Sequence, residues 1–331
     1  MGGGLQYRSE DEGNHTPGDD PWWQESVFVH WYDSAVGVGG VHRIGHEPHS
    51  RGAPPPDDPP QSVADSGEAA LCCFVFDREA RYRRVERVPL LAPETPRGFR
   101  GGGSTWDIED GVPRIRVKED GLELDLVMEN FYDLTDFFPS GGSMVEDFAK
   151  NHYETSGRVR GTAVLQGRSY EIDGMCHRDH SWGPRRWDQL LSHRWVSGTI
   201  GPELSFGSMA WHAADNSTVA IGYVVRAGEL ILAKTVDIVA HMEIDALTHR
   251  GGEVTWHLAD GSSLHATCTV VDGVVTGNHN VVWVDSVCEV VLDDGRTGYC
   301  DFELSTNPRA GTRAVGLAVR AALNNGWSTG A

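Results

Sequence analysis

The chain has 331 residues and a formal net charge of −20 at pH 7, which argues against nucleic acid and anionic membrane surfaces as partners, since both select a basic patch. No apolar run approaches the roughly 18 residues of a membrane-spanning helix. The start lacks the charged-then-apolar order of a signal peptide, so a cytoplasmic protein is expected.

In chain order, the first signal is Trp22-Trp23-Gln24-Glu25-Ser26 running into Val27–Asp33. Read as a strand, it puts His30 and Tyr32 on one face and Glu25, Trp31 and Asp33 on the other. With Trp23, the aromatic and acidic groups suit the wall of a site for an apolar ligand with one polar handle. Packing of these aromatics in a core is the alternative. His42, His46, Glu47 and His49 follow within a short stretch. A shared face for His42 and His46 would need a helix, which Gly45 and Pro48 oppose, so no metal is expected.

Residues 52–67 and 91–104 are rich in Pro and Gly and read as surface loops. Leu122, Leu124, Leu126 and Met128 alternate with mostly acidic residues, as in a strand with one wet face. Tyr132 lies just beyond this strand, where residues 129–133 either line a barrel mouth or are simply solvated. Residues 143–152 suggest a short helix and residues 309–324 a C-terminal one. Apolar runs at 71–76, 161–166, 219–226, 230–236, 254–258, 264–271, 281–292 and 298–304 read as further strands. Asp-Gly pairs at 110, 120, 260, 272 and 294 supply the hairpin turns between them. The chain is therefore expected to be mostly β, in two consecutive antiparallel barrel or sandwich units (10–190 and 191–331) with a short C-terminal helix.

Chemistry concentrates in Arg178-Asp179-His180-Ser181-Trp182-Gly183-Pro184-Arg185. An acid, an imidazole and an indole held together at a turn suit proton transfer to an apolar molecule. An ion-paired corner, with Asp179 neutralised by Arg178 or Arg185, is the alternative reading. Trp211 and His212 follow about thirty residues later, either as a second indole and imidazole for the cleft or simply beside a hairpin turn at 214–217. The six cysteines form no Cys-x-x-Cys pair and read as reduced thiols. No phosphate-loop or nucleophile-elbow motif occurs, and no cofactor is expected.

Tyr153-Glu154, Gly157, Gly161, Gly167, Tyr170, Gly174 and the hexad Arg178–Gly183 together form a pattern. It resembles the lipocalin-like superfamily of carotenoid 1,2-hydratase and its AttH-type relatives. The resemblance implies two lipocalin-like β units with an apolar cavity at the motif end. It also implies roles for His180 and Trp182, which match the His-x-Trp pair of the hydratases. Those enzymes carry a Tyr-x-Asp pair on a following strand, whereas residues 208–212 here read Ser-Met-Ala-Trp-His. The acid is then expected from Asp179, His212, Glu25 or Asp33.

The expected function is a cofactor-free hydro-lyase or isomerase acting on an alkene or tertiary alcohol of an apolar, isoprenoid- or steroid-like substrate. Asp179, His180, Trp182 and His212 would act in chemistry, and Trp23, Glu25, Trp31, Asp33, Tyr132 and Trp211 in binding. Arg178 and Arg185 would hold Asp179 ionised. A non-catalytic carrier of an apolar ligand and a cyclase that templates ring closure are the alternatives. Oligomeric state leaves no mark in the sequence.

Overall fold

A computed structural model describes residues 7–49, 67–92, 97–136, 151–213, 217–243, 248–279, 281–306 and 326–328. It is nearly all antiparallel strand, in two units, Met1–Arg186 and Trp187–Ala331.

The first unit contains β1 (Trp23–Asp33), β2 (Val38–Glu47), β3 (Glu68–Phe76), β4 (Arg81–Pro89), β5 (Phe99–Gly101) and β6 (Ser104–Glu109). It continues with β7 (Val112–Glu119), β8 (Leu122–Asn130), β9 (Thr135–Asp136), β10 (Asn151–Leu165) and β11 (Arg168–Pro184). These form one sheet in the order β4-β3-β2-β1-β11-β10-β8-β7-β6-β5, with β9 on β10. A 3-10 turn, Ser9–Glu12, precedes β1.

The second unit contains β12 (Leu190–Gly201), β13 (Leu204–Ala213), β14 (Thr218–Arg226), β15 (Glu229–Met242) and β16 (His249–Leu258). Then come β17 (Ser263–Asn278), β18 (Val281–Leu292), β19 (Thr297–Thr306) and β20 (Gly326–Ser328). Their order is β14-β13-β12-β19-β18-β17-β16-β15-β20, and β14 also pairs with β15. That pairing closes all of them except β20 into a ring, as in a small lipocalin-like barrel.

Period two explains why these strands form. On β8, Leu122, Leu124, Leu126 and Met128 are buried and Glu123 and Glu129 exposed. They join Val27, Val29, Trp31, Ile115 and Val117 in the core of the first unit. The second unit buries Val196, Phe206, Val254, Trp256, Phe302 and Leu304 in the same way. Asp110 and Gly111 take φ of 51° and 81° between β6 and β7, as a tight hairpin requires.

Several local expectations are corrected. Asp272-Gly273 lies inside β17 at a register shift, where an extra residue is absorbed as a bulge. The histidine-rich stretch Val38–Glu47 is strand β2, and positions four apart on a strand share a face without any helix. Within 91–104, part of the expected loop forms β5 and Ser104 opens β6. Asn151 and His152 open β10, while the rest of the expected helix at 143–150 lies outside the described residues. So do the C-terminal helix expected at 309–324 and most of the loop at 52–67. Among the described residues, no helix is long and apolar enough to cross a membrane.

Candidate functional site

The hexad Arg178–Gly183 is not a turn. It forms the end of β11, a central strand between β1 and β10. Every residue of β1 is buried, and so is nearly every residue of β11 from Cys176 to Gly183. Two buried faces on polar strands demand polar partners on both. Gly174 lets β1 approach this closely, since a Cβ there would meet the Tyr32 carbonyl oxygen at 2.5 Å.

Strand register sorts the side chains. On one face, Ile44, Val27, His180 and Tyr153 form a row across β2, β1, β11 and β10. His46, Glu25, Trp182 and Asn151 form the row beside it. This face carries the apolar core. On the opposite face, Arg43, Phe28, Asp179 and Glu154 form one row, and Val41, His30, His177 and Ser156 the next.

The core-side face is closed by residues 7–15. Arg178 grips Glu12 through two hydrogen bonds of 2.7 Å. The Tyr153 hydroxyl donates to Glu12 at 2.9 Å and lies 3.2 Å from His180 Nδ1. His180 Nε2 is 3.0 Å from Glu25 Oε1, and the His15 backbone N–H donates to the same carboxylate. The His15 ring contacts Glu25 at 2.6 Å and stacks on Trp182, with centroids 3.9 Å apart. Burial would raise the Glu25 carboxyl, but hydrogen bonds from His15 and His180 outweigh it and hold it below its ordinary value. Glu12 is lowered in the same way, burial being overcome by Arg178. His180 is lowered by burial, against the pull of Glu25.

The opposite face has a different character. His152 lies 3.5 Å from Glu154 and 4.0 Å from Asp179, and His177 lies 3.4 Å from Glu154. Burial would raise Glu154, yet contacts with His152 and His177 hold it at about 2. Asp179 goes the other way. Burial, reinforced by the Glu154 charge across the ladder, pushes it up to about 7 against His152, Arg185 and Arg43. Two carboxyls facing each other across one ladder therefore have widely separated proton affinities. His30 stacks on His177 at 5.4 Å and is driven well below its ordinary value by burial. Ser156 bonds to His177 Nδ1 at 2.8 Å, and the Tyr132 hydroxyl donates to Ser156 at 3.3 Å.

This geometry revises the expected site. Asp179 and His180 do not partner each other, and Trp182 belongs to the His180 face. Arg178 binds Glu12 and Asn130 rather than Asp179. Arg185 bonds to Ser181, and its charge and that of Arg43 only partly offset the burial that raises Asp179. Trp31 is a core residue whose indole donates to His42 at 3.0 Å. Asp33 caps the β1 end, accepting from the backbone N–H of Asp173 and Ala35. Trp23 is buried at the start of β1. Trp211 and His212 lie in the second unit on opposite faces of β13, Trp211 stacked on His193 and His212 half-buried.

Sequence reasoning missed Glu12, His15 and the site role of His152, and it named His30 and His177 without giving either a role in the site. Tyr153 and Glu154 entered only as members of a pattern. The alternation His152, Glu154, Ser156 is the signal that would have exposed them, as a polar set on one strand face. Among the described residues, two groups have ligand atoms close enough to hold a metal ion: His15, Glu25 and His180 in the first unit, and Asp285, Asp301 and Glu303 in the second.

Fold and site together define a two-unit lipocalin-like β protein with buried acid and imidazole groups on its central strands. The chain belongs to the family described as domain of unknown function DUF7064, whose model matches residues 8–308. No curated protein matches the sequence. Among solved structures, it is similar to NE1406 of Nitrosomonas europaea, a candidate AttH, at 14% identity and a TM-score of 0.67, covering 92% of this chain and 97% of that one. CghA is similar at 10% identity and a TM-score of 0.60, covering 87% and 88%. Kievitone hydratase from Nectria haematococca is similar at 8% identity and a TM-score of 0.59, covering 93% and 94%. At these identities the likeness is one of fold.

Proposed function

We propose that the protein is a hydro-lyase or isomerase that works by acid/base chemistry on an apolar, isoprenoid- or steroid-like alkene or tertiary alcohol. The observation that carries this reading is the Asp179–Glu154 pair, two buried carboxyls paired across β11 and β10 with His152 within 4.0 Å of both, the first raised by burial and the second held low by its imidazole neighbours. Asp179, its proton affinity raised into the neutral range, can donate a proton and take it back, while Glu154, held ionised between His152 and His177, favours the protonated form of Asp179 by its charge. In hydration, Asp179 protonates the alkene carbon, water adds to the resulting carbocation, and the proton lost by that water returns to the Asp179 carboxylate. Dehydration runs the same steps in reverse. Phe28 pairs with Asp179 across β1 and the Tyr132 hydroxyl reaches Ser156 on this face, and a ring face stabilises a carbocation by about 0.5–2 kcal/mol.

Two fold relatives support the reading. Kievitone hydratase is by name an enzyme that adds water, and CghA has been crystallised with the small molecule Sch210972. Carotenoid hydration itself would use His180 and Trp182, both of which are here in contact with the His15 ring.

The test begins by identifying apolar compounds that co-purify with the protein, by mass spectrometry. Each is then incubated with enzyme in D₂O and in ¹⁸O-labelled water. Deuterium and ¹⁸O incorporation is expected for wild type, and Asp179→Asn and Glu154→Gln should abolish it while retaining ligand. Bound ligand with no turnover would make the protein a carrier. Turnover without solvent incorporation would make it a cyclase.

A further inference from the structure

The second unit holds a cluster that this reading does not use. Across β13, β12, β19 and β18, on the face opposite the apolar core, Trp211 pairs with His193 and Trp283 with Ser305. Arg194 pairs with Leu304, which sets His193 beside Ser305 and diagonal to Glu303. His193 Nε2 makes a short contact with the Glu303 carboxylate. A carboxylate can only accept, so Nε2 carries the hydrogen and Nδ1 presents its lone pair. Ser305 Oγ lies 2.7 Å from that Nδ1. The backbone N–H of His193 donates to Ser305 Oγ at 3.0 Å, which turns the hydroxyl hydrogen toward the ring.

We propose that Ser305, His193 and Glu303 form a nucleophilic triad in the second unit that accepts the acyl group of an apolar ester. A hydroxyl within reach of an imidazole, itself oriented by a third group, is the arrangement that activates a serine. The chemical roles define such a triad, and its order along the chain does not. The apolar class follows from the surroundings. Trp211 stacks on His193, and Trp283, next to Ser305, stacks on Trp187 with centroids 5.5 Å apart. In the reaction, Ser305 Oγ attacks the ester carbonyl while His193 Nδ1 takes its proton. The alcohol then leaves with that proton, and water, deprotonated by His193, releases the acid and restores the serine.

The test treats the full-length protein with a long-chain alkyl fluorophosphonate, whose fluoride a serine oxygen displaces. Peptide mass spectrometry is expected to place the adduct on Ser305. Labelling should slow by about 10²-fold or more in His193→Gln. If wild-type protein with an unchanged melting temperature leaves Ser305 unmodified while other serines react, the triad is wrong. It is equally wrong if His193→Gln folds and labels at the wild-type rate. Because wild-type labelling is decisive alone, a variant that fails to fold does not blunt the experiment. A second arm incubates wild type with p-nitrophenyl octanoate and looks for an octanoyl group on Ser305; its presence supports the proposal.

Discussion

Asp179 and His180 are adjacent in sequence but stand on opposite faces of β11, Asp179 across from Glu154 and His180 across from Tyr153. The strand separates two chemical environments. On the His180 side Glu12, Glu25 and Arg178 meet partners, and on the Asp179 side burial raises a carboxyl's affinity for its proton.

The first expectation concerns that proton. The folded protein holds Asp179 at about 7 against an ordinary 3.8, so the unfolded chain loses the proton first. Stability from this group is fully present below about pH 4 and is lost as pH rises toward 7. Asp179→Asn removes the loss. The variant should gain on the order of 1–3 kcal/mol over wild type at pH 8, and much less at pH 4.5. Thermal melts at both pH values check this, and an equal difference at the two would refute it.

Glu12→Gln should be strongly destabilising. It leaves Arg178, which is almost fully buried, without its ionic partner. Removing one member of a buried pair costs about 3–5 kcal/mol. Urea unfolding measures it, and a loss below about 1 kcal/mol would show that the pair does not hold residues 7–15 in place.

His180→Ala deprives Glu25 and Tyr153 of a hydrogen-bond partner. A loss of about 1–3 kcal/mol is expected. Because His180 faces away from Asp179, the folded fraction should keep its turnover. Melting and turnover measured on one preparation decide this. An unaltered melting temperature with abolished turnover would move the chemistry to the His180 face.

The thiols should be silent. All six cysteines are free and buried, and burial pushes Cys73 and Cys176 up to about 12. Thiolate is the reactive form, so Ellman's reagent should titrate none of them in the native protein. All should react in denaturant. Rapid native reaction of even one would mean that its strand opens.

The β class and the strands with one wet face were legible because alternation at Leu122–Met128 records burial directly. β2 was not, because Gly39, Gly40 and Gly45 interrupt the pattern and nearly all of its residues are buried. The hexad looked like a turn because its polar density and Gly183-Pro184 suggest exposure. It is a strand because distant residues satisfy it. Tyr153 reaches Glu12 across 141 positions, and Arg178 reaches it across 166. No local pattern encodes such partners. Alternation would have predicted that Asp179 and His180 diverge, had the segment been read as extended.

The separation of Glu12 from Arg178 also bears on how the chain acquires its structure during synthesis. Residues 7–15 leave the ribosome early, yet their partners on β10 and β11 follow only after most of the first unit has been made. Contacts of such long sequence separation form late and slow the search for the native topology. Until then Glu12 and Glu25 are hydrated and the core-facing side of β1 lacks its cover, a state in which chaperones find exposed apolar strand. Closure of the first unit is therefore a late event, timed by the emergence of β11.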